Sequence, residues 1–291
     1  MDNNRKGIIL AGGSGSRLYP ITNIFSKQLM PVYDKPMIYY PLSTLMLSNI
    51  REVLIITTPR DEENFINLLG DGSQWGMKIQ YTTQTNPDGL AQAFIIGKSF
   101  INNGNTALIL GDNIFYGHGL ERILQKANSH LEGACIFAHH VDEPSRYGVI
   151  DFDQKNKVKN IIEKPEKPKS NYAVTGLYFY DKQVCDIAAE LKPSARGELE
   201  ITDVNNYYLK EDILNVEILE KDYTWLDTGT HKSFLEASNF VSSMQKCEGS
   251  LIACPEEISF RQGWITSTQL EEQAYALKKN DYGQYLLNII K

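Results

Sequence analysis

The chain has 291 residues, of which 42% are hydrophobic and 22% charged, a composition typical of a globular protein with a sizeable core. Its formal net charge of −7 argues against a nucleic-acid binder, because such proteins need a broad basic surface to displace counterions. The first apolar run is too short for a signal peptide and no segment is long enough to span a membrane, so the sequence favours a cytoplasmic protein.

The first half alternates short apolar runs with longer amphipathic stretches, which predicts a doubly wound α/β fold around a mostly parallel sheet. The predicted strands lie at residues 7–10, 52–57, 78–82, 107–110 and 134–138. Helices are predicted between them, at residues 37–48, 61–69, 90–100 and 120–129. In such folds the ligand lies outside the carboxyl ends of the strands.

From about residue 146 the pattern changes to shorter β-rich pieces, at residues 147–153, 157–163, 172–180 and 216–219. These pieces predict a mixed or antiparallel extension of the sheet rather than another βαβ unit. After Gly249, apolar residues at three- and four-residue spacing in 269–277 and 284–290 predict a helical tail.

A glycine-rich segment directly after the first predicted strand is a candidate phosphate-binding loop, and it reads Gly12-Gly13-Ser14-Gly15-Ser16-Arg17. Glycines at a strand end let backbone N–H groups approach phosphate oxygens, while Arg17 and Lys27 add positive charge. The segment lacks the ending of a Walker A loop, and Leu18 stands where a dinucleotide fingerprint needs its third glycine. The alternative interpretation is a tight turn with an incidental arginine.

Two isolated acids, Asp112 and Asp227, are candidate metal ligands. Asp112 follows the predicted strand 107–110, and Asp227 lies in an apolar, glycine-containing segment. Magnesium commonly takes one or two carboxylates and completes its coordination with water and phosphate oxygens. Taken singly, each acid is equally well a loop or helix-capping residue. Lys164 could meet a second phosphate, or it could belong to a surface charge pair with Glu163.

Covalent catalysis has no support in the sequence. None of the five histidines is placed like a nucleophile or a metal ligand, and no G-x-S-x-G motif is present. The four cysteines are too scattered for a metal site or a disulfide framework, so we expect buried or idle thiols: Cys135, Cys185, Cys247 and Cys254.

Together these segments resemble those of the sugar-1-phosphate nucleotidyltransferases over essentially the full length. The resemblance rests on GIILAGGSGSRL at 7–18, SKQLMPV at 26–32, DKPMIYYP at 34–41, PDGLAQ at 87–92, LGDN at 110–113, EKP at 163–165 and WLDTG at 225–229. Ser16 replaces the usual threonine of the family, and Met30 the usual leucine. The similarity is greatest to the branch that joins dTTP and glucose 1-phosphate to give dTDP-glucose and pyrophosphate, for dTDP-rhamnose and other dTDP-sugar synthesis.

The resemblance implies a Mg²⁺-dependent enzyme and assigns roles to individual residues. The nucleotide would contact Leu10, Ala11, Gly12, Gly13, Ser14, Gly15, Ser16, Arg17, Lys27, Gln84, Pro87, Gly89 and Asp112, with Gln84 and Gly89 at the thymine edge. The sugar phosphate would contact Asn113, Tyr147, Gly148, Glu163, Lys164, Val174 and Thr175. Asp112 and Asp227 would hold Mg²⁺, and the catalytic residues would be Arg17, Lys27, Asp112 and Lys164.

The resemblance also implies an organisation and a form of regulation. Residues 1–249 would form the nucleotidyltransferase core, with a nucleotide-binding half at 1–145 and a sugar-phosphate-binding half at 146–249. Residues 250–291 would serve regulation and oligomer contacts in a homotetramer. A second site for an inhibitory dTDP-sugar would include Tyr116, Gly117, His118, Glu256, Glu257, Ile258 and Arg261.

Three other functions stay open from the sequence. Uridylyl transfer by the same family differs by one methyl group, which a hydrophobic contact discriminates by only ~1–3 kcal/mol. An oxidoreductase or epimerase on a dinucleotide-binding fold lacks the third glycine and a Tyr-x-x-x-Lys proton relay. A nucleotide-sensing module without catalysis would need the glycine loop but not both Asp112 and Asp227.

Overall fold

The computed structural model describes residues 4–13, 15–155 and 157–291. Its strands are β1 (Lys6–Ala11), β2 (Pro31–Val32), β3 (Lys35–Pro36), β4 (Glu52–Thr57), β5 (Lys78–Thr83), β6 (Thr106–Leu110), β7 (Asn113–Gly117), β8 (Ala134–His140), β9 (Gly148–Phe152), β10 (Val158–Glu163), β11 (Tyr172–Tyr180), β12 (Leu214–Leu219) and β13 (Tyr223–Asp227). Its α-helices are α1 (Tyr39–Leu47), α2 (Glu62–Leu69), α3 (Gln92–Ile96), α4 (Lys98–Ile101), α5 (Leu120–Ser129), α6 (Val184–Glu190), α7 (Ile201–Lys210), α8 (His231–Glu248), α9 (Pro255–Arg261), α10 (Ser267–Ala276) and α11 (Asp281–Ile289).

A parallel set of strands in the order β5-β4-β1-β6 occupies one side of the main sheet. Leu10 near the end of β1 lies opposite Ile56 of β4 and Leu110 of β6. The strands β1, β4 and β6 are apolar nearly throughout, because helices cover both faces of a parallel sheet. The predicted doubly wound, mostly parallel mixed sheet is confirmed.

The long strand β11 joins the parallel strands to the rest of the sheet. Its second half runs antiparallel to β6, with Leu177 opposite Ile109, whereas in its first half Ala173 lies opposite Val149 of β9. The antiparallel pair of β9 and β10 therefore extends the sheet beyond the carboxyl end of β6. On its other edge β11 pairs with β8, and β8 pairs with β12. This is the antiparallel extension predicted for the second half of the chain.

Two large apolar clusters cover the two faces of the sheet. Leu42, Phe65 and Phe137 belong to one cluster, and Phe94 and Tyr208 belong to the other. All five side chains are almost completely buried. This two-sided burial is what the alternation of strands and amphipathic helices predicts.

Gly97 explains why the predicted helix at 90–100 is divided into α3 and α4. A Cβ atom at this position would lie 3.0 Å from Ile8 Cδ1 and 3.0 Å from the Ala93 carbonyl oxygen. The chain therefore approaches β1 closely where a larger side chain would not fit, and glycine weakens the helix there.

The longest helix, α8, has no counterpart among the predicted elements. It begins at a capping box formed by Thr230 and Ser233 and ends at Gly249, whose φ of 68° is left-handed. Only Ala237 and Val241 of this helix are buried, so its sequence lacks a wide apolar stripe.

The C-terminal helices α9, α10 and α11 enclose a small cluster of their own that includes Leu270 and Leu286. Helix α9 attaches them to the core, because Trp75 Nε1 donates to Glu256 Oε1 at 3.1 Å. Three of the four cysteines are buried and Cys247 is exposed, all as free thiols. Among the described helices, none is both long enough and apolar enough to cross a membrane.

Candidate active site

A cleft of about 420 Å³ lies at the carboxyl ends of β1 and β6. The pair of β9 and β10 borders it on one side, as does the segment that leads into α7. Ligand sites of open α/β sheets occur at such positions, and their volumes fall in this range. Predicted site residues that line the cleft are Leu10, Gly13, Arg17, Gln84, Pro87, Gly89, Asp112, Asn113, Tyr147, Gly148, Glu163, Lys164, Val174 and Asp227.

The glycine loop leaves β1 at the floor of the cleft. Gly15 adopts φ 62° and its carbonyl oxygen accepts a hydrogen bond from Thr22 Oγ1 at 3.0 Å. A Cβ atom on Gly12 would lie 2.6 Å from Gln84 Oε1, so glycine there lets the two segments approach closely. Ser14, also predicted to bind nucleotide, lies outside the described residues.

A second wall comes from the segment that follows β5. Gln84 is buried, and its Nε2 donates to Gln92 Oε1 at 2.5 Å. Gly89 has φ 112°, and a Cβ atom on it would lie 2.4 Å from the Leu199 carbonyl oxygen. The Leu199 N–H donates to the Asp88 carbonyl at 2.7 Å, which ties this wall to the chain before α7.

Asp112, just after β6, forms an ion pair with Lys27. Its other oxygen, Oδ1, accepts from Asn113 Nδ2 at 2.8 Å. Burial raises the pKa of the Asp112 carboxyl, but the charge and hydrogen bond of Lys27 outweigh burial and hold that pKa below its ordinary value. Asp112 is therefore an ionised carboxylate at neutral pH.

Asp227, the last residue of β13, faces the same region. Its Oδ2 lies 3.4 Å from Arg146 Nη2 and 3.4 Å from the hydroxyl oxygen of Tyr147. Burial and the negative charge of Asp112 raise the pKa of the Asp227 carboxyl, and Lys27, Arg146 and Arg17 oppose that rise. Burial together with the neighbouring Asp227 charge raises the pKa of Tyr147 to about 12.

The two carboxylates fit a hard divalent cation. Asp227 lies opposite Asn113 in the pair of β13 and β7, and Thr228 Oγ1 donates to the Asp112 carbonyl oxygen at 2.9 Å, so the two acids are close together. Carboxylate oxygens are the ligands that Mg²⁺ prefers. Within the described residues no group of three or more His, Cys, Asp or Glu side chains could hold a metal ion. The remaining ligands would therefore come from water and from a bound phosphate.

Asn113 connects the Asp112 carboxylate to the opposite strands. Its Oδ1 accepts from the Gly176 N–H at 3.0 Å and from Trp225 Nε1 at 2.6 Å, while its Nδ2 donates to Asp112. The side chain is only 2% exposed. Two donors at one atom fix the orientation of the amide, and this orientation aims its N–H at the carboxylate.

Glu163 and Lys164 lie together at the end of β10. Glu163 Oε2 accepts a 2.5 Å hydrogen bond from Thr202 Oγ1, and Lys164 Nζ lies 3.6 Å from Glu163 Oε1. Lys164 has φ 42°, and its N–H donates to the Tyr147 carbonyl at 3.0 Å. Non-glycine residues with positive φ cluster at functional sites, where the surrounding structure holds them.

Several predicted residues do not line the cleft. Lys27 is buried and paired with Asp112, and the buried Thr175 has an unpartnered hydroxyl. The other four belong to the glycine loop and its approach: Ala11, Gly12, Gly15 and Ser16. None of these four residues contributes to the lining of the cleft.

Among the described residues, twelve that line the cleft were not predicted from the sequence. They are Gln28, Leu90, Leu110, Arg146, Gly176, Tyr178, Arg196, Glu198, Glu200, Ile201, Thr202 and Trp225. Arg146 directly precedes the predicted Tyr147 and could have been noticed as a further cation. Arg196 lies 3.8 Å from Glu163 Oε1, but the segment that carries it has no recognisable signal of its own.

The residues predicted for a regulatory site lie outside the cleft, in two places. Tyr116 and His118 approach Glu248 at the end of α8, with His118 Nε2 at 3.5 Å from its carboxylate. Glu256, Glu257, Ile258 and Arg261 belong to α9, where Arg261 Nη2 lies 2.7 Å from Glu257. Gly117 ends β7.

Residues 6–244 match the family described as nucleotidyl transferase. A glucose-1-phosphate thymidylyltransferase of Xanthomonas campestris is 60% identical over 287 residues, which are 99% of this chain and 97% of the relative. The enzyme of the same name from Neisseria meningitidis is 56% identical over 98% of this chain and 99% of its own. The chain is thus similar to these enzymes from end to end.

Solved structures give the same picture for the core. A Bacillus anthracis protein, assigned as a glucose-1-phosphate thymidylyltransferase and crystallised with sucrose, has a TM-score of 0.74 at 43% identity, covering 81% of this chain and 94% of its own. A UDP-glucose pyrophosphorylase complexed with UDP-glucose has a TM-score of 0.71 at 26% identity, covering 82% and 99%.

Proposed function

The chain belongs to the nucleotidyl transferase family, and on that premise we propose that it transfers a thymidylyl group from dTTP to glucose 1-phosphate. The products are dTDP-glucose and pyrophosphate. The identities of 54–60% to several relatives named glucose-1-phosphate thymidylyltransferase support this reaction over others of the family. The dTDP-glucose would feed dTDP-rhamnose and other dTDP-sugar synthesis.

One observation carries the proposal. A single cleft is lined by residues of both predicted halves, with the carboxylates Asp112 and Asp227 beside it. Arg17 of the glycine loop lines this cleft, and so does Lys164 of the second half. Two phosphorylated substrates could therefore meet in one place, each with a cation of its own.

The chemistry needs alignment more than proton transfer. The attacking group is a phosphate oxygen of the sugar phosphate, which is anionic at neutral pH, so no general base is required. The protein must hold this oxygen in line with the α-phosphorus and neutralise the charge that builds up on pyrophosphate. Arg17, Lys27 and Lys164 supply that charge, and Arg146 joins them because its guanidinium lines the cleft.

We assign the metal site to Asp112 and Asp227 and the metal to Mg²⁺. Asp112 and Asp227 would hold the ion, which would neutralise part of the negative charge of the phosphates. Asn113 orients Asp112 by its 2.8 Å hydrogen bond, although the resemblance assigns it to the sugar phosphate. The two roles are compatible, since an amide nitrogen has two protons to donate.

The two substrates would occupy different parts of the cleft. Leu10, Gln84, Pro87 and Gly89 are on the predicted nucleotide side, where Gln84 and Gly89 would read the thymine edge. The sugar side includes Tyr147, Gly148, Glu163, Lys164 and Val174. Glu163 is held by Thr202, which fixes a hydrogen-bond acceptor for sugar hydroxyls.

Uridylyl transfer is the second candidate, because a UDP-glucose pyrophosphorylase shares the fold at a TM-score of 0.71. Its identity of 26% is well below that of the thymidylyltransferases. A methyl group on the base is worth only ~1–3 kcal/mol in a hydrophobic contact, so a preference for dTTP rather than strict exclusion of UTP is expected.

We further propose that the protein is a cytoplasmic homotetramer inhibited by a dTDP-sugar at the site around α9 and His118. The family match ends at residue 244, which supports a core of about 249 residues followed by a separate C-terminal segment. Within that core, the nucleotide half at 1–145 and the sugar-phosphate half at 146–249 meet at the cleft.

The test is pyrophosphate release with glucose 1-phosphate, Mg²⁺ and each nucleoside triphosphate in turn. We expect the highest kcat/KM with dTTP and a lower value with UTP. Asp112→Asn should abolish most turnover, whereas Asp186→Asn, which removes an exposed acid paired with Lys98, should not. No release with any triphosphate would contradict the proposed function.

A further inference from the structure

Each carboxylate assigned to the metal is ion-paired with a cation of this chain. Lys27 donates to Asp112 Oδ2, and the lysine side chain is only 7% exposed. Arg146 Nη2 lies 3.4 Å from Asp227 Oδ2, and that carboxylate is 14% exposed. Water screens buried pairs of this kind much less than surface pairs.

The proposed function assigns the same two cations to the phosphates. Lys27 is buried and begins a short turn over residues 27–29, and Arg146 lines the cleft itself. A divalent cation and an ammonium group repel each other strongly at hydrogen-bond distance, so both cannot share one oxygen of Asp112. The carboxylates and the phosphates therefore compete for Lys27 and Arg146.

We propose that Lys27 and Arg146 are charge-exchange residues, which neutralise Asp112 and Asp227 first and move onto the phosphates when metal and nucleotide bind together. This inference rests on the proposed function, to which it adds the coupling of the two ligands. Lys27 and Arg146 make metal binding weak without a triphosphate. A bound triphosphate pairs with these two cations. It also supplies oxygen ligands that the metal needs in addition to the two carboxylates.

The coupling is reciprocal by thermodynamic necessity: dTTP must raise the affinity for the metal by the factor by which the metal raises the affinity for dTTP. It also has an unusual consequence for substitutions. Removing the charge of Lys27 should strengthen metal binding and weaken nucleotide binding. A lysine with only a structural role would weaken both or change neither.

Lys27→Met tests this prediction in two binding assays. In the first, free Mn²⁺ is measured by electron paramagnetic resonance during titration of the nucleotide-free protein. We expect the variant to bind Mn²⁺ at least about tenfold more tightly than the wild type, equivalent to about 1.4 kcal/mol. In the second, equilibrium dialysis of dTTP in the presence of EDTA should show weaker binding by the variant.

Lys126→Met is the matched control, because Lys126 is also ion-paired, with Glu217, but lies outside the cleft. It should leave both affinities at their wild-type values. Arg146→Met provides a second test if Lys27→Met proves unfolded by circular dichroism, and it should tighten Mn²⁺ binding in the same direction.

Equal or weaker Mn²⁺ binding by folded Lys27→Met or folded Arg146→Met would overturn the exchange. So would a wild-type protein that binds Mn²⁺ as tightly without dTTP as with it. Either result can occur while the wild type still releases pyrophosphate from dTTP and glucose 1-phosphate, so failure of the exchange is distinct from failure of the proposed function.

Discussion

Replacing Asn113 by alanine or by aspartate separates its role in folding from its role at the metal site. In Asn113→Ala the Gly176 N–H and the Trp225 indole N–H both lose their acceptor inside the protein. A buried donor left without a partner costs about 1–3 kcal/mol, so the two together should lower the free energy of unfolding by about 2–6 kcal/mol. That is a large share of the 5–15 kcal/mol typical of a whole domain.

Asn113→Asp keeps an oxygen for both donors but cannot donate to Asp112. It also places a second negative charge where Nδ2 now lies, 2.8 Å from the Asp112 carboxylate. We expect this variant also to lose stability, because a second buried carboxylate beside Asp112 is costly, and each folded molecule to lose about 10–100-fold in turnover, as for other partners of metal-binding groups. Urea denaturation followed by fluorescence and a pyrophosphate-release assay give the two quantities.

Asn128→Ala is the matched control for the alanine variant. Asn128 is buried on α5 and also hydrogen-bonds buried groups, accepting from Arg5 at 3.0 Å and donating to the Ser48 carbonyl at 2.8 Å. It should lose stability but keep the turnover of each folded molecule. Wild-type turnover in Asn113→Asp would refute the positioning of Asp112, and an unfolding free energy of Asn113→Ala within about 1 kcal/mol of the wild type would refute the hydrogen-bond reasoning.

Gly89→Ala should lower the melting temperature and the affinity for dTTP, because a φ of 112° is strained for alanine and its Cβ atom would lie 2.4 Å from the Leu199 carbonyl oxygen. Unchanged dTTP binding in dialysis would contradict this. Glu256→Gln should lower the free energy of unfolding in urea by about 1–3 kcal/mol, since only one of its two terminal atoms could still accept a hydrogen bond from Trp75 or Tyr282. An unchanged urea transition would limit Glu256 to a ligand-binding role. Burial lowers the pKa of His139 in the folded protein. The unfolded chain therefore binds a proton at this histidine more readily than the folded chain, and stability falls as the pH drops below about 6.5. His139→Gln should therefore lose less melting temperature than the wild type between about pH 7.5 and 5.5, and equal losses in the two proteins would exclude this contribution.

The fold was predictable wherever local periodicity and burial agree. The strand at 52–57 and the helix at 120–129 match β4 and α5 at both ends. Helix α8 was not predicted, because it buries only Ala237 and Val241 and its capping box becomes visible only in the structure. The strands β7 and β13 were missed because their pairing joins segments about a hundred residues apart, which no local pattern reports.

The site was predictable where glycines or isolated acids follow a strand. Arg17 and Asp112 were singled out in this way. Lys164 was noticed at the end of a predicted strand and Asp227 in an apolar, glycine-containing segment, and all four line the cleft. Arg196 reaches the cleft through the chain before α7. It pairs with Glu198 and Glu200 of its own segment and with Glu163, which the fold brings from β10. Such placements follow from tertiary packing and carry no sequence signal.

The net charge of −7 does not describe the charges that two anionic substrates would meet in the cleft. Among the described residues that line the cleft, four are basic and five are acidic, so the cleft is not a basic groove that would attract any polyanion. Under the proposed exchange, the cations would instead leave the carboxylates as the phosphates arrive, and a divalent ion would replace the cations there. A site of this kind discriminates against anions that bring no metal, since such an anion would leave Asp112 and Asp227 uncompensated beside it. Selectivity for a metal–nucleotide complex then follows from charge balance before any contact with the base is made.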